Sequence, residues 1–400
     1  MAKNIFIAAT GKDVGKSTIS FGIISYMLNK GYKVGFMKPL GQRWKQSKWG
    51  KVEEDVILIK EIFDLKEDPK DMNPIVIEKG YTEEYISKTI KPNLSKSILN
   101  GYNNIAKNND YVIIEGTGHA GVGSVLDHSN AKVASILDSK VVLLAKGGIG
   151  STIDELELNR KFFERRGVEV IGVIINQVIK LKIDKIEKSI KKYCHDKGLN
   201  LFGIIPYSTI LGNPTLGTII EELKPEVIND TDERNIVVDN YLVGASNLKE
   251  AINFLSQKSG NNLLVLPSDR IDLAYALPNV YELKEFDKTR IFTVLFSGNQ
   301  KPDEYTLRLL KEYNVNLLWK KGDTFSVISK LSSISIKTRP LDNFKIDEIK
   351  NIVTGNINIK KILKYFGKPN IVYGKFQRIK KKGKTLLIKI YKYLKNLLGF

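Results

Sequence analysis

The sequence predicts an α/β protein: a parallel sheet flanked by helices, then a second, smaller α/β domain and a basic C-terminal helix. Three observations carry this. Short runs of Val, Ile, Leu and Phe alternate with helix-like segments over the first 225 residues. These runs are apolar throughout, as strands buried on both faces are. After a polar stretch at 224–234 the same alternation starts again.

Residues 4–9 read as the first strand, followed by a glycine-containing turn and an amphipathic helix to about Asn29. Further strands are expected at 33–37, 111–114, 140–144 and 168–175. The stretch 224–234 holds Pro225 and several acidic residues, and reads as a linker. Beyond it, 236–238, 263–266, 291–296 and 315–319 read as strands. Helix-like stretches lie at 247–257, 303–313 and 324–331. The expected units are therefore 1–225, 235–362 and a tail at 363–400.

At ~150 residues per domain, 400 residues suggest two or three domains. The 42% hydrophobic content is enough for ordinary cores. One cysteine, Cys194, excludes a disulfide framework and a cysteine zinc cage. Three histidines are too few and scattered for a His-rich metal site. No apolar run approaches the ~20 residues that span a bilayer. The N-terminus lacks a signal-peptide core, so a reducing cytoplasm is expected.

The net charge of +19 suggests an acidic partner, but it is unevenly placed. Residues 351–400 hold thirteen basic residues and no acidic ones, leaving +6 for the first 350. Within the tail, Leu386, Leu387, Ile390, Tyr393, Leu394, Leu397 and Leu398 share one helical arc, opposite Lys389, Lys392 and Lys395. Such a helix suits an anionic membrane surface, and equally suits packing on its own domain or a dimer partner. No recognisable nucleic-acid module accompanies it, which argues against nucleic acid.

The strongest local signal is the loop Thr10-Gly11-Lys12-Asp13-Val14-Gly15-Lys16-Ser17-Thr18. The phosphate-loop pattern G-x-x-x-x-G-K-[ST] sits between a strand and a helix, as this loop does. Thr10 stands where the first glycine is expected, and Gly11 comes one place late. In such a loop, backbone N–H groups and the helix N-terminus face phosphate oxygens. Lys16 supplies a point charge to them, and the Ser17 hydroxyl can bind Mg²⁺. Glu115 follows an apolar strand and opens Glu115-Gly116-Thr117-Gly118, the expected place for a metal carboxylate. Asp55, in Glu53-Glu54-Asp55, reads by itself as a helix-start residue favoured by the helix dipole.

At these residues the first 225 positions resemble the dethiobiotin-synthetase-like P-loop NTPase domains. That group includes the N-terminal part of long phosphate acetyltransferases and cobyrinic acid a,c-diamide synthase. The matching pieces are Val14-Gly15-Lys16-Ser17, Phe36-Met37-Lys38-Pro39, Glu115-Gly116-Thr117-Gly118, Ala145-Lys146-Gly147-Gly148-Ile149-Gly150, Ile175-Asn176 and Gly203-Ile204-Ile205-Pro206-Tyr207. The resemblance implies ATP as ligand, with Lys16 and Lys38 catalytic and Lys38 facing a reacting carboxylate or the γ-phosphate. It implies a Mg²⁺ site of Ser17, Asp55 and Glu115, and an adenine site at Asn176 and Pro206.

The second unit resembles the DRTGG domain. Ser268-Asp269-Arg270 matches its Asp-Arg part, and Ser297-Gly298-Asn299 stands at its Thr-Gly-Gly. Asp269, Arg270, Ser297 and Gly298 thus form a candidate second site, while Asp269-Arg270 reads equally well as an ion pair capping a helix. The role associated with this module is regulation or homodimerisation. A phosphate acetyltransferase catalytic domain would need hundreds more residues, so that activity is not expected of this sequence. An amidotransferase would need a cysteine triad. Cys194-His195 are helical neighbours that do not face each other, so Cys194 reads as structural.

Three functions remain open. The leading expectation is a slow ATPase that senses or regulates acyl or carboxylate metabolism. The others are an ATP-dependent ligase acting on a small carboxylate, and a nucleotide-controlled scaffold.

Overall fold

The computed structural model describes residues 2–231, 234–245, 247–257, 260–282, 292–313, 315–334 and 336–367. The basic amphipathic tail lies almost wholly outside the described residues.

The first sheet has six parallel strands: β1 (Lys3–Ala9), β2 (Val34–Met37), β3 (Tyr111–Glu115), β4 (Lys140–Lys146), β5 (Val170–Val178) and β6 (Asn200–Pro206). Their order is β6-β5-β4-β1-β3-β2. β1 is central, pairing with β3 and β4. Ile5, Phe6, Ile7 and Ala9 are buried on its two faces, which explains the unbroken apolar run. The sequence reading did not place a strand at β6, which Gly203 interrupts with a register shift.

Helix α1 (Lys16–Asn29) follows β1 directly. It was expected to be amphipathic, yet Ile19, Phe21, Gly22, Ile23, Ile24 and Met27 are all buried. A helix covered on all sides reads apolar all round. The cover is a helix from far along the chain, α12 (Asn343–Asn356). Helix α2 (Glu54–Phe63) begins just after a hairpin of Trp44–Ser47 against Gly50–Glu53. Helices α3 (Leu94–Ala106), α4 (Asn130–Ile136), α5 (Gly150–Glu164) and α6 (Ile183–Asp196) complete the flanking layers. Cys194 is buried on α6 and its thiol is pushed up to about 11 by that burial, so it is a core residue.

The second sheet comprises β7 (Glu226–Asn229), β8 (Asn240–Val243), β9 (Asn262–Pro267), β10 (Phe292–Gly298) and β11 (Val315–Lys321), in the order β7-β11-β10-β9-β8. β7 is antiparallel to β11, and the other pairs are parallel. Alternate strand residues serve opposite cores. Leu264, Leu266, Val294 and Phe296 pack with helices α8 (Leu248–Gln257), α9 (Ile271–Glu282) and α10 (Glu304–Lys311). Leu263, Val265 and Leu295 pack with α7 (Leu216–Leu223) and α11 (Thr324–Ser332).

Two expectations are corrected here. The supposed linker contains the edge strand β7, and residues 236–238 form no sheet strand, Val237 making only an isolated bridge to Thr215. The cores also divide the chain differently from the expected spans. Residues 216–223 join the second core. Helices α12 (Asn343–Asn356) and α13 (Ile359–Lys364), expected in the second unit, return to the first. Ile346, Ile349, Val353, Ile357, Ile359 and Ile362 are buried in the first core. At ~1.5–3 kcal/mol per fully buried aliphatic side chain, these contacts hold the return segment to the first domain. The fit is tight: a Cβ on Gly22 would lie 2.4 Å from Val353 Cβ.

Candidate functional site

The phosphate loop turns through Asp13 (φ 54°) and Gly15 (φ 99°). Both are left-handed, which only glycine adopts without strain. A Cβ on Gly15 would come 2.2 Å from Asn176 Nδ2, so glycine is also required by space. Asn176, at the end of β5, donates to the Val14 carbonyl at 2.8 Å. Its neighbour Gln177 (φ 59°) donates to the Asp13 carbonyl at 3.0 Å. The loop shape is thus held by the end of β5. No side chain caps α1, and its first residues Lys16, Ser17 and Thr18 line the cavity, where uncapped N–H groups suit an anion.

Lys16 reaches across the loop, donating to the carbonyls of Gly11 and Gly118 at 3.0 Å each. Burial lowers its pKa to about 8, against the opposing pull of Glu115. The Glu115 loop is braced by Asn130, which accepts from Thr117 N at 3.0 Å and donates to the Thr117 and His119 carbonyls. Gly116 leaves room for this, since a Cβ there would meet Asn130 Oδ1 at 2.9 Å. The Ser17 hydroxyl donates to Glu115 Oε1 at 3.0 Å. The second oxygen, Glu115 Oε2, is buried without a hydrogen-bond partner. A buried orphan acceptor is costly unless something fills it.

Lys38, after β2, lies among three carboxylates. It pairs with Asp55, with Glu53 at 3.0 Å and with Glu115 at 3.3 Å. Burial opposes its charge, but Asp55, Glu115 and Glu53 together hold its pKa well above the ordinary lysine value. Asp55 is buried, yet Lys38 and Lys337 hold its carboxyl below the ordinary range. Burial and the neighbouring Asp55 raise Glu53, although Lys38 works against this. Among the described residues no group of three or more His, Cys, Asp or Glu forms a metal cage. Mg²⁺ does not need one, because it is commonly held by one or two carboxylates with waters and substrate phosphates. Ser17, Asp55 and Glu115 with the orphan oxygen fit that donor set.

These groups open into a cavity of about 610 Å³. Lys12 and Asp13 lie on its wall, as do Pro206 at the end of β6, Tyr207 after it and Leu211 in the short helix Thr209–Gly212. Thr10 turns away, its hydroxyl 2.8 Å from Glu155 on α5, and Val14 is buried. Of the expected phosphate, metal and base residues, all but Thr10, Gly11 and Val14 line this one space. Asn176 reaches that wall with its amide committed to the loop.

Sequence reasoning missed Glu53 and Lys337 as site residues. Glu53 sits beside Asp55 and was read only as a helix start. Lys337 comes from the connector after α11, which also lines the cavity. Its ammonium is 3.1 Å from Asp55 Oδ1 and 3.3 Å from Glu54 Oε2. No spacing rule links residues 282 positions apart.

The second candidate site lies at the C-terminal ends of β9 and β10. Ser268 N donates to the Ser297 carbonyl at 2.8 Å, which brings the two loops together. Arg270 pairs with Asp272 at 2.8 Å and donates to the Gly244 carbonyl. The Ser297 hydroxyl meets Thr324 Oγ1 at 2.9 Å, and Gly298 has φ 143°.

Comparison with known proteins agrees with this layout. A family model described as an AAA domain (AAA_26) matches residues 3–215, and a DRTGG domain model matches 218–334. The chain is 24% identical over 375 residues to a phosphate acetyltransferase of Synechocystis sp., covering 91% of this chain and 52% of that protein. It is 29% identical over 185 residues to the ATP-dependent dethiobiotin synthetase BioD of Brachyspira hyodysenteriae, covering 44% of this chain and 80% of that protein. The chain spans about half the length of the phosphate acetyltransferases it matches. Among the described residues no helix is long and apolar enough to cross a membrane.

Proposed function

The chain belongs to the AAA-domain family that its residues 3–215 match, and from that premise we propose that it binds ATP with Mg²⁺ in the cavity over the phosphate loop. The observation that carries this reading is the Ser17–Glu115 pair, with Glu115 Oε2 buried and unpartnered beside it. Loop N–H groups and Lys16 bind the phosphates. Ser17, Asp55 and Glu115 hold the metal, which neutralises phosphate charge when bound. Pro206 and Tyr207 flank the base.

The reaction proposed is slow hydrolysis, coupled to sensing or regulation in acyl or carboxylate metabolism. The carboxylates supporting it are Glu53, Asp55 and Glu115, which crowd Lys38 and disfavour a further carboxylate substrate. A second reading, an ATP-dependent ligase for a small carboxylate, is favoured by the likeness to dethiobiotin synthetase over 80% of that enzyme.

ADP release from wild type and Lys16→Ala, alone and with a panel of small carboxylates and amines, separates the two. A slow, unstimulated rate lost in Lys16→Ala supports the regulator. Strong stimulation by one compound supports the ligase. No release under any condition contradicts both.

A further inference from the structure

Beyond α11 of the second domain, Ser333, Ile336 and Lys337 help to line the nucleotide cavity. Asp55 consequently carries a lysine on each oxygen: Lys38 on Oδ2 and Lys337 on Oδ1. The two lysines are held differently. Lys38 is enclosed, with three carboxylates around it, whereas Lys337 is 24% exposed at the cavity wall. A lysine's four-carbon stem can swing when its partner is taken.

The connector itself is pinned beyond Lys337. Arg339 donates to Thr215 Oγ1 at 2.9 Å and pairs with the buried Asp342 at 2.8 Å. Lys345 donates to the Asn213 carbonyl at 2.5 Å. Lys337 is thus delivered to the site from a fixed base beside α7.

A divalent cation on Asp55 and Glu115 repels an ammonium 3.1 Å from the same carboxylate. Glu54 Oε2, 3.3 Å away, and the phosphates of a nucleotide bound in the same cavity are then the anions within its reach. We propose that Lys337 is a cation of the nucleotide site supplied from the second-domain side. It neutralises Asp55 before nucleotide binds and transfers to a phosphate oxygen when Mg²⁺ and nucleotide enter. The proposal rests on the nucleotide reading above.

The test uses full-length wild type, Lys337→Met and Lys337→Arg. Two quantities are measured: binding of Mn²⁺ alone, by electron paramagnetic resonance, and binding of a fluorescent ATP analogue in excess Mg²⁺. In Lys337→Met, Mn²⁺ alone binds roughly three- to tenfold more tightly, because a competing cation is gone, and the nucleotide binds roughly three- to tenfold more weakly. Lys337→Arg stays near wild type in both. The opposite signs distinguish this role from a structural one, which moves both affinities the same way. Shifts of like sign, or none, in Lys337→Met against a wild type that binds nucleotide overturn this proposal alone. A wild type that binds no nucleotide overturns the nucleotide reading and this proposal with it.

Discussion

The Ser17 hydroxyl lies 3.0 Å from Glu115 Oε1, joining the first turn of α1 to the end of the neighbouring strand β3. A phosphate-loop hydroxyl and a strand-end carboxylate at that distance can share one Mg²⁺. Glu115→Gln keeps the shape and removes the charge. It is expected to weaken Mg²⁺-dependent nucleotide binding at least tenfold while barely changing metal-free binding. Titrations with and without EDTA check this.

Lys38 neutralises three buried carboxylates. Lys38→Met removes the cation they share, leaving Lys337 beside Asp55 and Glu53, and should cost about 3–5 kcal/mol at pH 7, the range for breaking a buried ion pair. The sign with pH follows from linkage. Glu53 already has a raised pKa in the folded state, and without Lys38 it rises further. The folded variant then binds more protons than the unfolded chain, so the deficit shrinks as pH falls from 7 towards 5. Urea unfolding across that range measures it. Mg²⁺ should stabilise the variant more than wild type.

Lys16 has a pKa of about 8 because it is buried. Phosphate binding needs its charged form. Nucleotide affinity should therefore hold below pH 8 and fall above it, by up to about tenfold per unit. Lys16→Met binds more weakly throughout and lacks that slope. Fluorescence titrations from pH 6.5 to 9.5 compare the two.

Gly22 on α1 admits Val353 of α12. Gly22→Ala places a methyl inside contact distance and should destabilise by ~1–3 kcal/mol through overpacking, despite the better helix propensity of Ala. Val353→Ala added to it should recover part of the loss. Thermal or urea melts of the single and double variants test the coupling.

The central strands were legible because burial on both faces leaves an unbroken apolar run, as at Ile5, Phe6 and Ile7. The phosphate loop and Glu115 were legible because the chemistry demands those residue types at strand ends, whereas Lys38 was reached only through the family resemblance. β7 was not, because Glu226–Asn229 is a short, partly exposed edge strand among polar residues. The return of α12 was hidden for another reason. Its apolar face says that it is covered, and nothing in a period says by which core. Lys337 shows the same limit, since its meeting with Asp55 exists only once two domains and the connector are in place.

A Mg²⁺-dependent nucleotide site on the phosphate loop has a direct thermodynamic signature. Calorimetric titration of ATP into the full-length protein, with and without Mg²⁺, tests it most directly. Saturable binding at one site per chain, strengthened by Mg²⁺ and abolished in Lys16→Ala, is the predicted result. No heat of binding in wild type, or equal binding in Lys16→Ala, would contradict it.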